Sequence, residues 1–157
     1  MSAQPDQAEL NAFLADVPFF AALDETTRLE LAGQLEPVQV AAGEVIFRQG
    51  DAGQGLFLVV SGRLRVSVAG DIPGDGPERM LYDLGRGAIV GEMALLTDRP
   101  RAATVSAVRD SDLLLLRVSS FTSLLERSPA LVTGMIRLLV DRVLAVDQLL
   151  IADRPEA

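Results

Sequence analysis

The sequence contains no cysteine, no histidine and no tryptophan among its 157 residues. Without cysteine, the chain has neither a disulfide framework nor a thiolate nucleophile. Without histidine, it lacks the most common general base and metal ligand. The chain also has no Gly-x-Ser-x-Gly elbow and no Gly-Lys-Ser/Thr phosphate loop. These absences predict that the protein is not an enzyme and that it uses no metal ion or cofactor.

Positive charge is scarce as well. The 14 basic residues, all of them arginine, face 22 acidic residues, which gives a net charge of −8. Nonspecific binding to nucleic acid or to an anionic membrane depends on a basic face, so the composition disfavours both partners. No apolar run approaches the roughly 20 residues that a membrane-spanning helix needs. The first residues lack the pattern of a secretory signal. We therefore expect a cytoplasmic protein without a membrane span.

The pattern of apolar residues divides the chain into three regions. Apolar residues make up 49% of the chain, which favours one compact domain with a core. Residues 1–35 have a helical pattern, in which Pro18 is expected to end a first helix and Asp24 to be the N-cap of a second. Short β-branched runs separated by glycine follow, at 45–47, 56–60, 64–68, 80–84, 104–108 and 113–118. Such runs indicate an antiparallel sandwich or barrel. Residues 119–157 are helical again.

One segment, residues 91–104, combines a turn glycine, a carboxylate and an arginine: Gly-Glu-Met-Ala-Leu-Leu-Thr-Asp-Arg-Pro-Arg-Ala-Ala-Thr. A helical turn that begins at Gly91 offers free backbone N–H groups and a positive dipole end, which suit a phosphate. Arg101 adds a permanently charged fork of donors for the same anion. Glu92 repels phosphate but accepts hydrogen bonds from hydroxyl groups, such as those of a ribose. The segment therefore carries groups for both halves of a sugar phosphate.

This segment resembles the phosphate-binding cassette of cyclic nucleotide-binding domains, which occur in catabolite-activator-type regulators, cyclic-nucleotide-dependent kinases and gated channels. Gly-Glu, Ala-Leu and Pro-Arg-Ala-Ala-Thr-Val stand in the family's order and spacing. The resemblance implies a regulatory domain of the α+β class. It would have a helical preface (1–35), an antiparallel, jelly-roll-like β-roll (36–118) with its cassette at 91–105, and two C-terminal helices (119–157).

The resemblance also implies roles for individual residues. Glu92 would accept a hydrogen bond from the ribose 2′-hydroxyl beside the Gly91 backbone, and Arg101 would pair with the cyclic phosphate. Backbone N–H groups of Ala94 and Ala102 would complete the phosphate cradle. The whole predicted ligand site is Gly91, Glu92, Met93, Ala94, Arg101, Ala102 and Ala103. Members that prefer cGMP often carry threonine directly after the arginine, so Ala102 favours cAMP, with cGMP as the alternative.

One position departs from the family pattern. In kinase-type members, an acid between the early turns braces the phosphate-binding arginine. The matching residue here is Gln54, which cannot form a salt bridge, and Asp51 lies nearby at a different register. The sequence therefore leaves open how Arg101 is held.

The last helix is predicted to begin at Pro129, with Ser128 as its N-cap. One stripe of apolar residues recurs along it at spacings of three and four: Ile136, Leu139, Val143, Val146 and Leu150. This stripe either packs on the β-roll or forms an interface, and we expect a homodimer through residues 129–151. Helix movement would carry ligand occupancy to a fused or separate effector.

Two further expectations concern the rest of the protein. The catabolite-activator helix-turn-helix has no counterpart before Ala157, so we expect no direct nucleic-acid binding by this segment and a longer polypeptide around it. Residues 107–116 also look like cyclic nucleotide-binding domains fused to patatin-like phospholipases. The alternative function is a structural or dimerisation module with a vestigial pocket.

Overall fold

The computed structural model of the chain describes residues 6–21, 23–69, 79–93, 97 and 99–152. Within these residues the helices are α1 (Gln7–Ala15), α2 (Pro18–Ala21), α3 (Glu25–Ala32), α4 (Val118–Arg127) and α5 (Pro129–Ala152). The strands are β1 (Glu36–Val40), β2 (Val45–Phe47), β3 (Gly55–Ser61), β4 (Leu64–Val68), β5 (Arg79–Leu84), β6 (Ile89–Val90), β7 (Thr104–Ala107) and β8 (Ser111–Arg117). None of these helices is long and apolar enough to cross a membrane.

The strands form two four-stranded antiparallel sheets. One has the order β1-β8-β3-β6 and the other the order β2-β7-β4-β5. Helices precede and follow them in the chain, so the predicted α+β β-roll is confirmed. The strands β2 and β4 have the bounds that the β-branched runs predicted, whereas β1 and β6 were not predicted as strands. The helices pack on one face of the sheet that contains β3, and the second sheet packs on its other face.

Strand β3 connects the two halves of the core because its residues alternate between two faces. Leu56 and Leu58 pack in a cluster with the helices, whereas Phe57 and Val59 pack in a cluster between the sheets. All four side chains are buried. Full burial of such side chains contributes about 1.5–3 kcal/mol each. The shared strand therefore joins the helical layer and the roll into one core.

The helix termini follow local capping chemistry. Asp24 is the N-cap of α3 and its carboxylate accepts from the Thr27 amide at 2.8 Å, as predicted. Hydrogen bonds from the Thr27 side chain and from its amide lower the pKa of Asp24 below its ordinary value. The Leu131 amide donates to the Ser128 hydroxyl at 3.3 Å at the start of α5, which confirms that cap as well. The first helix ends at Ala15, before Pro18 as predicted, and Pro18 itself begins α2, because proline is readily accepted in a first helical turn.

Helix α5 is anchored to the domain by its first half. Leu131 and Met135 are buried in the helical core. A side-chain carbon added at Gly134 would lie 3.1 Å from the Phe19 carbonyl oxygen, so the absence of a side chain allows α5 to approach α2 closely. Farther along the helix, Arg142 reaches Glu92, which follows β6 in the chain.

Candidate functional site

Arg101 lies at the centre of the site and is only 6% exposed. Its Nη1 donates to the Gly91 carbonyl at 2.9 Å and its Nη2 to the Gly55 carbonyl at 2.7 Å. Its guanidinium carbon lies 4.0 Å from the centroid of the Phe47 ring, a cation–π contact. The buried Nε has no hydrogen-bond partner among the described residues. Arg101 is therefore fixed in place with a donor still unused.

Within the described part of the chain, no direct partner neutralises the charge of Arg101. Burial lowers the pKa of its guanidinium below the ordinary value, while the carboxylates of Glu92 and Asp51 act in the opposite direction. An arginine remains protonated in proteins at neutral pH. None of the ion pairs found in the described part of the chain involves Arg101. A buried cation without a direct counter-ion is costly, so this position suits an anionic ligand.

The structure answers how Arg101 is held without an acid at position 54. The brace consists of two backbone carbonyls and an aromatic ring, as described above. Asp51 contributes its backbone oxygen, which accepts from the Arg101 amide at 2.8 Å. Its carboxylate instead accepts from the Arg48 amide at 3.0 Å and closes its own turn. The brace is thus neutral, and no carboxylate has to be displaced from the guanidinium.

Gly91 is required by this arrangement in two ways. Its φ of +85° lies in the left-handed region that favours glycine. A side-chain carbon at this position would also collide with Nη1 of Arg101. Gly87 has the same φ of +85°, but nothing lies within 4 Å of the place where its side chain would be. A side chain at position 91 would therefore press on the arginine, whereas one at position 87 would meet open space.

This difference makes a matched pair of variants. Gly91→Ala and Gly87→Ala should each lose about 1–2 kcal/mol of stability, since both force alanine into a left-handed conformation. Thermal unfolding should show similar decreases in Tm for the two. Only Gly91→Ala should also lose binding of a phosphate-bearing ligand, because it displaces the guanidinium. Equal ligand affinity in both variants would contradict the placement of Arg101 as the anion site.

Glu92 is the second buried charged group of the site, at 7% exposure. Its Oε1 lies 3.4 Å from Nε of Arg142, which is on helix α5. Nη1 of Arg142 donates to the Tyr82 hydroxyl at 3.0 Å, and its Nη2 donates to the Ile89 carbonyl. The C-terminal helix therefore reaches the carboxylate that the sequence assigned to a ribose.

Arg101, Glu92 and Tyr82 line one pocket with a volume of about 120 Å³. Its apolar wall comes from both sheets and is lined by Phe47, Val66, Tyr82, Val90 and Val105. The rest of its lining comes from the segment 91–103 and includes its charged groups: Gly91, Glu92, Met93, Arg99, Pro100, Arg101, Ala102 and Ala103. A mainly apolar concavity with a few polar groups is typical of a small-molecule site. No cluster of three metal-ligating side chains occurs among the described residues.

Six of the seven predicted site residues line this pocket, and Ala94 lies outside the described residues. Sequence reasoning missed Phe47, Tyr82 and Arg142. Arg142 could have been found from spacing, since it follows Leu131 and Met135 at i+11 and i+7 and so lies on the face that packs on the domain. Nothing local in the sequence signals that the other two side chains meet the cassette.

The fold and the pocket together define a domain that binds a small anionic molecule. The sequence matches the profile of the cyclic nucleotide-binding domain over residues 37–128, more than half of the chain. The chain belongs to the cyclic nucleotide-binding domain family.

Known proteins that resemble the chain include both enzymes and regulators. Patatin-like phospholipase domain-containing protein 7 of Rattus norvegicus is 43% identical over 110 residues, which cover 70% of this chain and 8% of that protein. The structure of the Thermus thermophilus catabolite activator protein has a TM-score of 0.74 and 36% identity, covering 85% of this chain and 61% of that one. The regulatory domain of Toxoplasma gondii PKA with cAMP has a TM-score of 0.70 and 31% identity, covering 79% of this chain and 46% of that one. The chain thus spans only a small part of the phospholipase-domain protein.

Proposed function

We propose that this domain binds cAMP in the pocket between Arg101 and Glu92 and passes its occupancy to an effector through helix α5. The observation that carries the proposal is Arg101, a buried cation that has an unused donor and no direct counter-ion among the residues that the structure describes. The related Toxoplasma regulatory domain was solved with cAMP, which supports the ligand class. Helix movement and an effector, whether fused or separate, remain part of the proposal.

The ligand is oriented by the two charged side chains. The cyclic phosphate accepts from Arg101, whose fork of donors fits two phosphate oxygens. The ribose 2′-hydroxyl donates to Glu92, which is the only acceptor carboxylate lining the described pocket. The base then faces the apolar wall, which suits either purine. Ala102 has no side-chain hydroxyl to offer a guanine amino group, and this favours cAMP over cGMP.

A panel of related ligands tests this function by thermal unfolding. We expect cAMP at about 100 times its Kd to add about 2.7 kcal/mol of stability. For a chain of this size, Tm should then rise by about 2–4 °C per kcal/mol. In this proposal 2′-deoxy-cAMP lacks the hydroxyl that donates to Glu92, and adenosine lacks the phosphate that binds Arg101, so both should stabilise the domain less than cAMP. We also expect cGMP to stabilise it less. Equal shifts for cAMP and 2′-deoxy-cAMP would remove the ribose role of Glu92. A larger shift with cGMP would reverse the base preference.

Helix α5 also supports the proposed homodimer. Four apolar residues on one side of the helix are between 40% and 61% exposed, and we call them the apolar stripe: Val132, Ile136, Val140 and Val143. They follow one another at spacings of four and three, so they form a continuous row. Leu139, which the sequence placed in the seam, instead packs partly against the domain's own core. The side chains of Val146 and Leu150 lie outside the described residues.

The partner that best fits the apolar stripe is a second copy of this chain. Two identical helices related by a two-fold axis cover each other's apolar residues, and such an isologous interface is the commonest oligomeric arrangement. Burial of each apolar side chain contributes about 1.5–3 kcal/mol. The cytoplasmic location expected from the sequence stays a prediction.

A further inference from the structure

The aromatic ring of Phe47 lies against the guanidinium of Arg101 in the wall of the pocket. The guanidinium carbon is over the ring, 4.0 Å from its centroid. Phe47 is half-buried and lines the same pocket as Arg101. A contact between a cation and the face of a ring is attractive, and it becomes stronger when water is excluded. Because Arg101 is only 6% exposed, this contact is largely shielded from water.

Two backbone hydrogen bonds bring the ring and the guanidinium together. The Gly50 amide donates to the Arg101 carbonyl at 2.8 Å, and the Arg101 amide donates to the Asp51 carbonyl at 2.8 Å. These bonds tie the turn after β2 to the chain just before β7, and Phe47 is the last residue of β2. Its ring is also fixed by packing, since it stacks with the Phe57 ring at a centroid distance of 6.1 Å and an angle of 28°. The ring therefore has a defined place before any ligand binds.

The ring holds the guanidinium without using any of its hydrogen-bond donors. An arginine has five N–H donors in one plane. Two of them point to the carbonyls of Gly91 and Gly55, and Nε has no hydrogen-bond partner among the described residues. A carboxylate in the place of the ring would take up further donors and would neutralise the charge. The face of a ring does neither, so donors and charge stay available for a phosphate.

We propose that Phe47 is a positioning residue, whose ring keeps the guanidinium of Arg101 in the orientation that binds phosphate and so makes the pocket selective for phosphate-bearing ligands. This role rests on the proposed function, since it concerns the same pocket and the same ligand. Phe47 acts through Arg101, because only a chain whose guanidinium has this orientation binds the phosphate well. If the orientation falls to about one molecule in ten without the ring, the apparent Kd for cAMP rises about tenfold. A cation–π contact that is shielded from water is strong enough for a change of this size.

The first test separates the phosphate from the rest of the ligand. Phe47→Leu removes the ring but keeps an apolar side chain. Calorimetric titration gives the Kd of cAMP for each chain, and displacement of bound cAMP gives the Kd of adenosine. In Phe47→Leu we expect the Kd of cAMP to rise about tenfold and that of adenosine to change by less than about twofold. Phe47→Tyr keeps the ring face, so it should retain the wild-type Kd of cAMP within about twofold.

Phe57→Leu is the matched control for the loss of a ring. Phe57 is the other ring of the stacked pair, is 2% exposed, and lies outside the described lining of the pocket. Both leucine variants remove a ring from the core between the sheets, so both should lower Tm. Only Phe47→Leu should change the ratio of the Kd of adenosine to that of cAMP. An equal change of this ratio in Phe57→Leu would assign the effect to a loosened core and overturn the role of Phe47.

A double-mutant cycle shows whether the ring acts through Arg101. In a chain that already carries Arg101→Ala, adding Phe47→Leu should change the Kd of cAMP by less than about twofold, because the group that the ring positions is absent. If Phe47→Leu weakens cAMP binding equally with and without Arg101, the ring contacts the ligand directly and the positioning role is wrong.

A failure of the positioning role and a failure of the proposed function give different results. If the wild type binds cAMP and Phe47→Leu binds it equally well, the positioning role is wrong while the pocket stays the cyclic nucleotide site. Equal weakening of cAMP and adenosine in Phe47→Leu would also overturn the role, since the ring would then serve the base or the ribose. If no chain binds cAMP at millimolar concentration, the proposed function is wrong and the role of Phe47 falls with it.

Discussion

Arg101→Ala should weaken cAMP binding by about one to two orders of magnitude while the domain remains folded. Hydrogen bonds to charged groups contribute about 1.5–3 kcal/mol net, and each 1.4 kcal/mol corresponds to a tenfold change in Kd. The alanine removes the fork that we assign to the phosphate. It also leaves the Gly55 and Gly91 carbonyls without their donors. Titration calorimetry of both chains measures the loss, and circular dichroism checks the fold.

Two companion variants make this result specific. Arg99→Ala removes the other arginine that lines the pocket, which is exposed, and it should change the Kd far less. Arg101→Lys keeps the charge but loses the planar fork of donors that fits two phosphate oxygens, so its affinity should fall between those of the wild type and Arg101→Ala. Unchanged affinity in Arg101→Ala together with a large loss in Arg99→Ala would move the phosphate to Arg99.

The second large effect concerns the apolar stripe of α5. Ile136→Glu combined with Val143→Glu should convert the expected homodimer into a folded monomer. The two side chains are 57% and 61% exposed in the single chain, so glutamate there costs the isolated domain little. In a symmetric dimer the same carboxylates would be buried without cations opposite them, which is strongly unfavourable. Light scattering at several concentrations measures the mass, and circular dichroism shows that helix content is kept.

A matched control adds the same side chains elsewhere on the helix. Arg137→Glu combined with Ala145→Glu places two carboxylates on exposed positions outside the stripe, and this variant should remain a dimer. Leu139 is avoided because it packs partly on the domain's own core, so its substitution would confuse association with folding. A wild-type chain that is monomeric at high micromolar concentration would contradict the dimer and leave the stripe free for an effector.

Local sequence signals account for most of the fold. The β-branched runs predicted β2 and β4 with their observed bounds, because strands of this kind alternate apolar residues between turns that contain glycine. The strand β6 contains only Ile89 and Val90, too short for any periodic pattern. The strand β1 has three exposed residues, one of which is Pro37, and proline is unusual within a strand. Both strands exist because they pair with β3 or β8, which is a tertiary effect.

The residues of the site likewise divide into those that the local sequence predicted and those that it did not. Gly91, Glu92 and Arg101 were predicted because they lie within one short segment whose residue types suit a sugar phosphate. Phe47 and Arg142 were not, since they reach the pocket from β2 and α5, far away in sequence. The resemblance to kinase-type members suggested that an acid braces the arginine, but the matching residue here is Gln54. The actual brace of Arg101 consists of carbonyl groups, which every residue has and which no sequence pattern can reveal.

The central claim is that the buried guanidinium of Arg101 and the carboxylate of Glu92 form a cyclic nucleotide site. The most direct test is calorimetric titration of the unaltered chain with cAMP, with adenosine as the ligand that lacks the phosphate. We expect saturable heat at one cAMP per chain and much weaker binding of adenosine. No heat with millimolar cAMP, together with no change in Tm, would contradict the claim and leave the domain as a structural module with a vestigial pocket.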